Sequence, residues 1–61
     1  MNGQLKRWRL RRKLSQRQLA KRAGITQGYL PQIEQGQKVP SIAVLKKLAR
    51  ALGVPLTKLL Q

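Results

Sequence analysis

The apolar positions of this chain fall into short stripes at helical spacing, divided by turn-forming residues. Leu5 and Trp8 stand three apart and predict a first helix through about Arg12, whose other positions are nearly all basic. Ser15-x-x-Gln18 then reads as a capping box opening a second helix, with Leu19, Ala20 and Ala23 as a narrow apolar face. Gly24 stands where a left-handed residue would end that helix. Thr26 is placed to cap a third helix that turns Leu30 and Ile33 inward and closes at Gly36. Beyond the loop Gln37-Lys38-Val39-Pro40, Ser41 caps a fourth helix with the stripe Ile42, Leu45, Leu48, Ala49 and Leu52, ended by Gly53. Pro55 suits the first turn of a short fifth helix carrying Leu56, Leu59 and Leu60. No segment alternates as a strand does. The pattern predicts a single all-α domain over residues 1–61, built from five short helices.

Charge gives that domain a direction. Fourteen Lys and Arg face a single acid, a formal +13 on 61 residues. Such a balance points to a polyanion, nucleic acid first and an anionic membrane second. A merely solubilising surface is the plainer reading, but self-repulsion at this density works against a fold near the lower size limit. The chain has no Cys and no His, and Glu34 is its one carboxylate side chain. Paired acid–base chemistry and a zinc ligand set are therefore both out of reach, so neither an enzyme, a metal nor a cofactor is expected. No apolar run approaches the roughly 20 residues of a membrane helix, and no signal-peptide core is visible; the expectation is a cytoplasmic domain without membrane contact. The leucine stripes and Trp8 read as core, whereas Leu59 and Leu60 fit either core or a dimer seam.

The informative unit is the pair of helices joined through Gly24-Ile25-Thr26, about residues 16–35. Their joint must turn sharply, which a glycine allows without a Cβ clash. Ala20 is small where the two helices would come closest. With Leu19, Ala23, Ile25, Leu30 and Ile33 turned inward, Gln27, Gly28, Gln32 and Gln35 remain outside on the third helix. That face is polar and uncharged in a chain otherwise rich in charge. A glutamine amide donates and accepts together, as bidentate reading of adenine requires, while flanking cations would hold phosphates.

The stretch Ser-Gln-x-x-Leu-Ala…Ala-Gly-Ile-Thr-Gln-x-x-Leu…Gln-Ile-Glu-x-Gly…Pro-Ser, from Ser15 to Ser41, resembles the phage repressor and Cro-type (XRE-like) helix-turn-helix family. The following Leu-x-x-Leu-Ala-x-Ala-Leu-Gly-Val is similar to that family's fourth helix, so the resemblance runs from Leu5 to Leu60. It implies a compact five-helix, lambda-repressor-like domain that binds double-stranded DNA, usually as a homodimer on a pseudo-palindromic site. The recognition helix would span about 27–35, with Gln27, Gly28 and Gln32 facing bases. Gln16, Arg17, Gln35 and Lys38 would meet the phosphate backbone. Tyr29 fits either a phosphate donor or packing beside the second helix. Arg9 and Glu34 match an ion pair that some members make between the first and third helices.

The chain departs from the family pattern at three places. Lys13 stands where glycine is usual, and a left-handed conformation there would cost about 1 kcal/mol. Gly28 brings no side chain to a base-facing position. Pro31 falls inside the expected recognition helix, where proline typically costs about 3 kcal/mol, and so predicts a helix shortened or distorted at its first turn. Acids common in the family's second and fifth helices are replaced by Arg17, Gln18, Thr57 and Lys58, a depletion that fits a redesigned sequence as well as a natural one. On sequence alone three functions stay open: a DNA-binding regulator, an antitoxin-like protein-interaction module, and a polycation with only nonspecific nucleic-acid or membrane affinity.

Overall fold

The computed structural model describes residues 3–61; Met1 and Asn2, the first positions of the expected domain, lie outside them. Five helices follow one another: α1 (Gln4–Arg11), α2 (Gln16–Ala23), α3 (Tyr29–Glu34), α4 (Ile42–Leu52) and α5 (Thr57–Leu60). No strand occurs among the described residues. The order and number of elements are those the hydrophobic pattern predicts.

Local chemistry sets most boundaries. At α2 the capping box is complete: the Gln18 N–H donates to Ser15 Oγ at 3.0 Å, and the Ser15 N–H donates to Gln18 Oε1 at 2.8 Å. Ser41 caps α4 by accepting from the Val44 N–H at 3.2 Å. Both helices end alike. Gly24 and Gly53 take left-handed φ values of 72° and 70°, and the next residues, Ile25 and Val54, donate back to Ala20 and Ala49 at 3.0 Å each. These are Schellman endings, in which the backbone itself satisfies carbonyls that a helix end would otherwise leave free.

Each helix gives the core at least one side chain with almost no exposure: Leu5, Leu19, Leu30, Ile33, Leu48 and Leu59. Each such burial is worth roughly 1.5–3 kcal/mol. Leu14, in the connection after α1, joins them. α2 packs chiefly on α4, and α1 on α5. Ala20 is buried where α2 meets its neighbours, which lets the helices approach closely. Trp8 packs against the core and its ring takes cation–π contacts, the Arg11 and Arg12 guanidinium carbons lying 4.7 and 5.4 Å from the ring centre. Arg12 Nε also donates to the Leu52 carbonyl at 2.9 Å, bringing a positive charge to the C-terminal end of α4.

Three expectations change in detail, and the open reading of Leu59 and Leu60 is narrowed. The recognition helix spans Tyr29–Glu34, not 27–35, because Gln27 and Gly28 form the turn before it and Gln35 caps its end. Gly28, not Thr26, is the N-cap, and α3 has no side-chain cap; the Thr26 backbone carbonyl instead accepts from Tyr29 at 3.1 Å. Ile42 is 52% exposed, since the buried face of α4 begins at Leu45, one turn further on, with Val44 packed partly against the core. Leu59 is core but Leu60, one helical step round, is 55% exposed. The late start of α3 also relieves Pro31. It becomes the third helical residue, where an N–H would have no intrahelical partner. The Gln27 carbonyl, which the missing Pro31 N–H cannot serve, accepts from the Leu30 N–H at 3.3 Å.

Candidate nucleic-acid interface

Glu34 closes α3, an unfavourable end for a negative charge because the helix dipole is negative there. Three donors offset this. Arg9 Nε and Nη2 donate to the two carboxylate oxygens at 2.7 and 3.0 Å, and Gln16 Nε2 donates to Oε1 at 3.1 Å. Arg9 Nη1 completes the set by donating to the Leu14 carbonyl at 2.9 Å. The Arg9 and Glu34 side chains are only 9% and 4% exposed. One carboxylate thus ties α1, the start of α2 and the end of α3 together, and fixes the angle at which α3 crosses α2. A planar guanidinium bound bidentately holds orientation better than a point charge would.

The expected base-facing residues come together at the entry to α3. Gln27 and Gly28 are exposed in the turn, and Gln32 is half-buried one turn into the helix. Gly28 has φ −67° and open space where a Cβ would stand, so neither backbone nor packing demands glycine there. The Gln32 carbonyl accepts from both Gln37 and Lys38 N–H, at 2.8 and 3.2 Å. Those bonds fold the loop after α3 back onto the helix and set Lys38 relative to Gln32.

The expected phosphate-facing residues divide. Arg17, Gln35 and Lys38 are exposed. None of the three side chains makes a hydrogen bond or ion pair with the described residues. Gln16 is half-buried and committed to Glu34 through one amide hydrogen, which leaves its second N–H unspent. Tyr29 is half-buried and its ring packs on the core, while its hydroxyl has no partner among the described residues. No helix carries an acid in its own first turn, and the one carboxylate near the start of α2, that of Glu34, is paired with Arg9. Two features are not readable along the chain: Arg12 capping α4, and an open basic cleft where the end of α2 meets α4. The spacing of Lys46, Lys47 and Arg50 puts them on one side of α4, but only the packing of α2 adds Arg22.

Five short helices, with α1, α2 and α3 tied together at Glu34, make a helix-turn-helix domain. The helix-turn-helix family model matches residues 5–59, and the chain belongs to that family, in its phage-repressor (XRE-like) branch; it is not an enzyme. An uncharacterised HTH-type transcriptional regulator of Mycobacterium tuberculosis is 49% identical over 41 residues, covering 67% of this chain and 29% of that protein. The immunity repressor protein of Bacillus phage phi105 is 44% identical over 46 residues, covering 75% of this chain and 32% of the repressor. The chain therefore spans a third or less of the length of these two relatives. The crystal structure of the restriction-modification controller protein C.AhdI from Aeromonas hydrophila superposes with a TM-score of 0.90 at 34% identity, covering 92% of this chain and 85% of the controller. No helix is long and apolar enough to cross a membrane among the described residues.

Proposed function

We propose that the chain is the DNA-binding domain of a transcription regulator, placing α3 and the preceding turn in the major groove. The observation that carries this reading is the uncharged set Gln27, Gly28 and Gln32 in the turn before α3 and along it, with Gln16 and Arg17 at the start of α2 before them in the chain and Gln35 and Lys38 at and after the end of α3. In a chain with 14 cations, a charge-free strip at that place fits base edges, which are read by amides, and its flanks fit phosphates, which fix register. Gln27 and Gln32 carry the direct readout; Gly28 leaves its position to close backbone approach. Tyr29 acts mainly by packing, with its free hydroxyl available to a phosphate. Two copies would bind a pseudo-palindromic site with half-sites about 34–36 Å apart. Restriction-modification controllers and phage repressors among its relatives agree with such a role.

Selection from a random duplex library at a low and a moderate salt concentration tests the reading. Enrichment of one site family that survives the higher salt supports it. A pool that stays random at both concentrations contradicts it, leaving a polycation on a helix-turn-helix fold.

A further inference from the structure

The C-terminal turn of α2 and the middle and end of α4 come together around an open cleft of about 530 Å³, lined by Arg22, Ala23, Lys46, Lys47, Arg50 and Ala51 beside Gly24. None of these residues belongs to the α3 face or to the loop after it. The four cations are exposed, and none makes a hydrogen bond or ion pair with the described residues. Lys46 and Arg50 stand four apart on one helix, where like charges destabilise. The one carboxylate side chain, Glu34, is buried against Arg9 at the other end of α2 and screens nothing here.

Capping does not account for the cluster. Both helix ends are already closed by their own backbones, through Ile25 to Ala20 and Val54 to Ala49. Nor does packing, because the buried stripe of α4 is Leu45, Leu48, Ala49 and Leu52. Four unpartnered cations around one concavity instead form a site for a multivalent anion with charges spaced along it. The cleft wall offers no large apolar or aromatic side chain, only Ala23 and Ala51, so it lacks the anchor on which protein partners rely. A phosphodiester backbone needs no such anchor.

We propose that this cleft is a second phosphate-backbone site, with which the domain holds another DNA duplex while α3 is engaged with its own. The domain would then bridge two duplexes as well as bind one. The inference rests on the DNA-binding reading above, and the test separates the two.

A duplex tethered to beads is loaded with the protein and then offered a fluorescent second duplex at about 100 mM salt, where weak phosphate contacts are partly suppressed. Three proteins are compared: the parent, a cleft variant (Arg22→Gln, Lys46→Gln, Lys47→Gln, Arg50→Gln), and a control that removes the same charge elsewhere (Lys6→Gln, Arg7→Gln, Lys21→Gln, Lys58→Gln). Thermal melts establish that all three fold, and a separate titration measures single-duplex affinity. The expected result is capture by parent and control within a few-fold of each other, and about tenfold or greater loss in the cleft variant. The two variants should retain similar single-duplex affinity. Equal loss of capture in both variants would overturn the proposal in favour of bulk charge. Undiminished capture by the cleft variant would overturn it in favour of two recognition faces acting in separate copies. If the parent binds single duplexes but captures no second one, the bridging inference fails and the DNA-binding reading stands. If the parent binds no duplex, both fail.

Discussion

Lys13 has φ 59° and is the one non-glycine residue in the left-handed region among the described residues. Its Cβ is strained there by about 1–2 kcal/mol, against which glycine would lose roughly 0.5–1 kcal/mol of backbone entropy. Lys13→Gly should therefore stabilise by about 0.5–1 kcal/mol, raising the melting temperature by several degrees. Thermal melts of parent and variant check this. The strain was legible in the sequence through the resemblance, because Lys13 stands where the family usually has glycine. Glu34 lies at the opposite extreme of cost. Replacing it by Gln leaves the Arg9 guanidinium buried without its countercharge, and breaking such a pair costs about 3–5 kcal/mol. In a domain this small that is most of the stability, so Glu34→Gln should be largely unfolded or melt far below the parent. Denaturant titration showing a loss under about 1 kcal/mol would mean the pair behaves as an exposed one. Gly28 is the third position with a sharp expectation. Its φ of −67° and open surroundings accept a side chain, so Gly28→Gln should leave stability within about 0.5 kcal/mol. It should also change base preference at a single position of the selected site, which a repeat selection would reveal.

Helix α3 shows where the pattern along the chain stopped being sufficient. Apolar spacing located Leu30 and Ile33 and the closing Gly36, and both buried positions are as expected. It did not locate the start, because Thr26-Gln27-Gly28 fits a helical first turn as well as the turn that forms. Pro31 decides between them. A helix from Gln27 would put the proline ring against a carbonyl one turn back, whereas a helix from Tyr29 makes Pro31 harmless. Pro31→Ser should then alter stability by no more than about 0.5 kcal/mol, well short of the gain an interior proline would release. A gain above 1 kcal/mol in urea denaturation would restore the strained reading. Elsewhere caps did the work. Ser15, Gln18, Gly24, Ser41 and Gly53 each act at their expected places, since a cap needs only neighbours in sequence. What the sequence could not supply is any contact that depends on how helices cross: Arg12 reaching Leu52, Gln16 reaching Glu34, and Arg22 meeting α4.

The assembled domain has its one negative side chain locked inside, so its exposed ionised side chains are all positive. Nonspecific attraction to DNA should accordingly be strong and steeply salt-dependent. For about 6–10 phosphate contacts in a dimer, affinity should fall about 10³–10⁵-fold between 50 and 200 mM salt. The candidate face was legible as residue types, and the structure adds the coupling that makes it a unit: Glu34 fixes α3 against α2, and the Gln32 carbonyl fixes Lys38. Reading bases and holding phosphates are nevertheless separable in thermodynamics. The most direct measurement is a titration of the selected duplex and a scrambled one, over several salt concentrations, with the parent, Gln32→Ala and Lys38→Ala. Gln32→Ala should lose about 1–3 kcal/mol of discrimination between the duplexes while keeping the salt slope. Lys38→Ala should weaken both duplexes alike and lower the slope by about one unit. If both substitutions lower only the slope, and the parent itself binds the two duplexes equally, α3 reads no sequence and the account of this domain as a regulator's DNA reader is wrong.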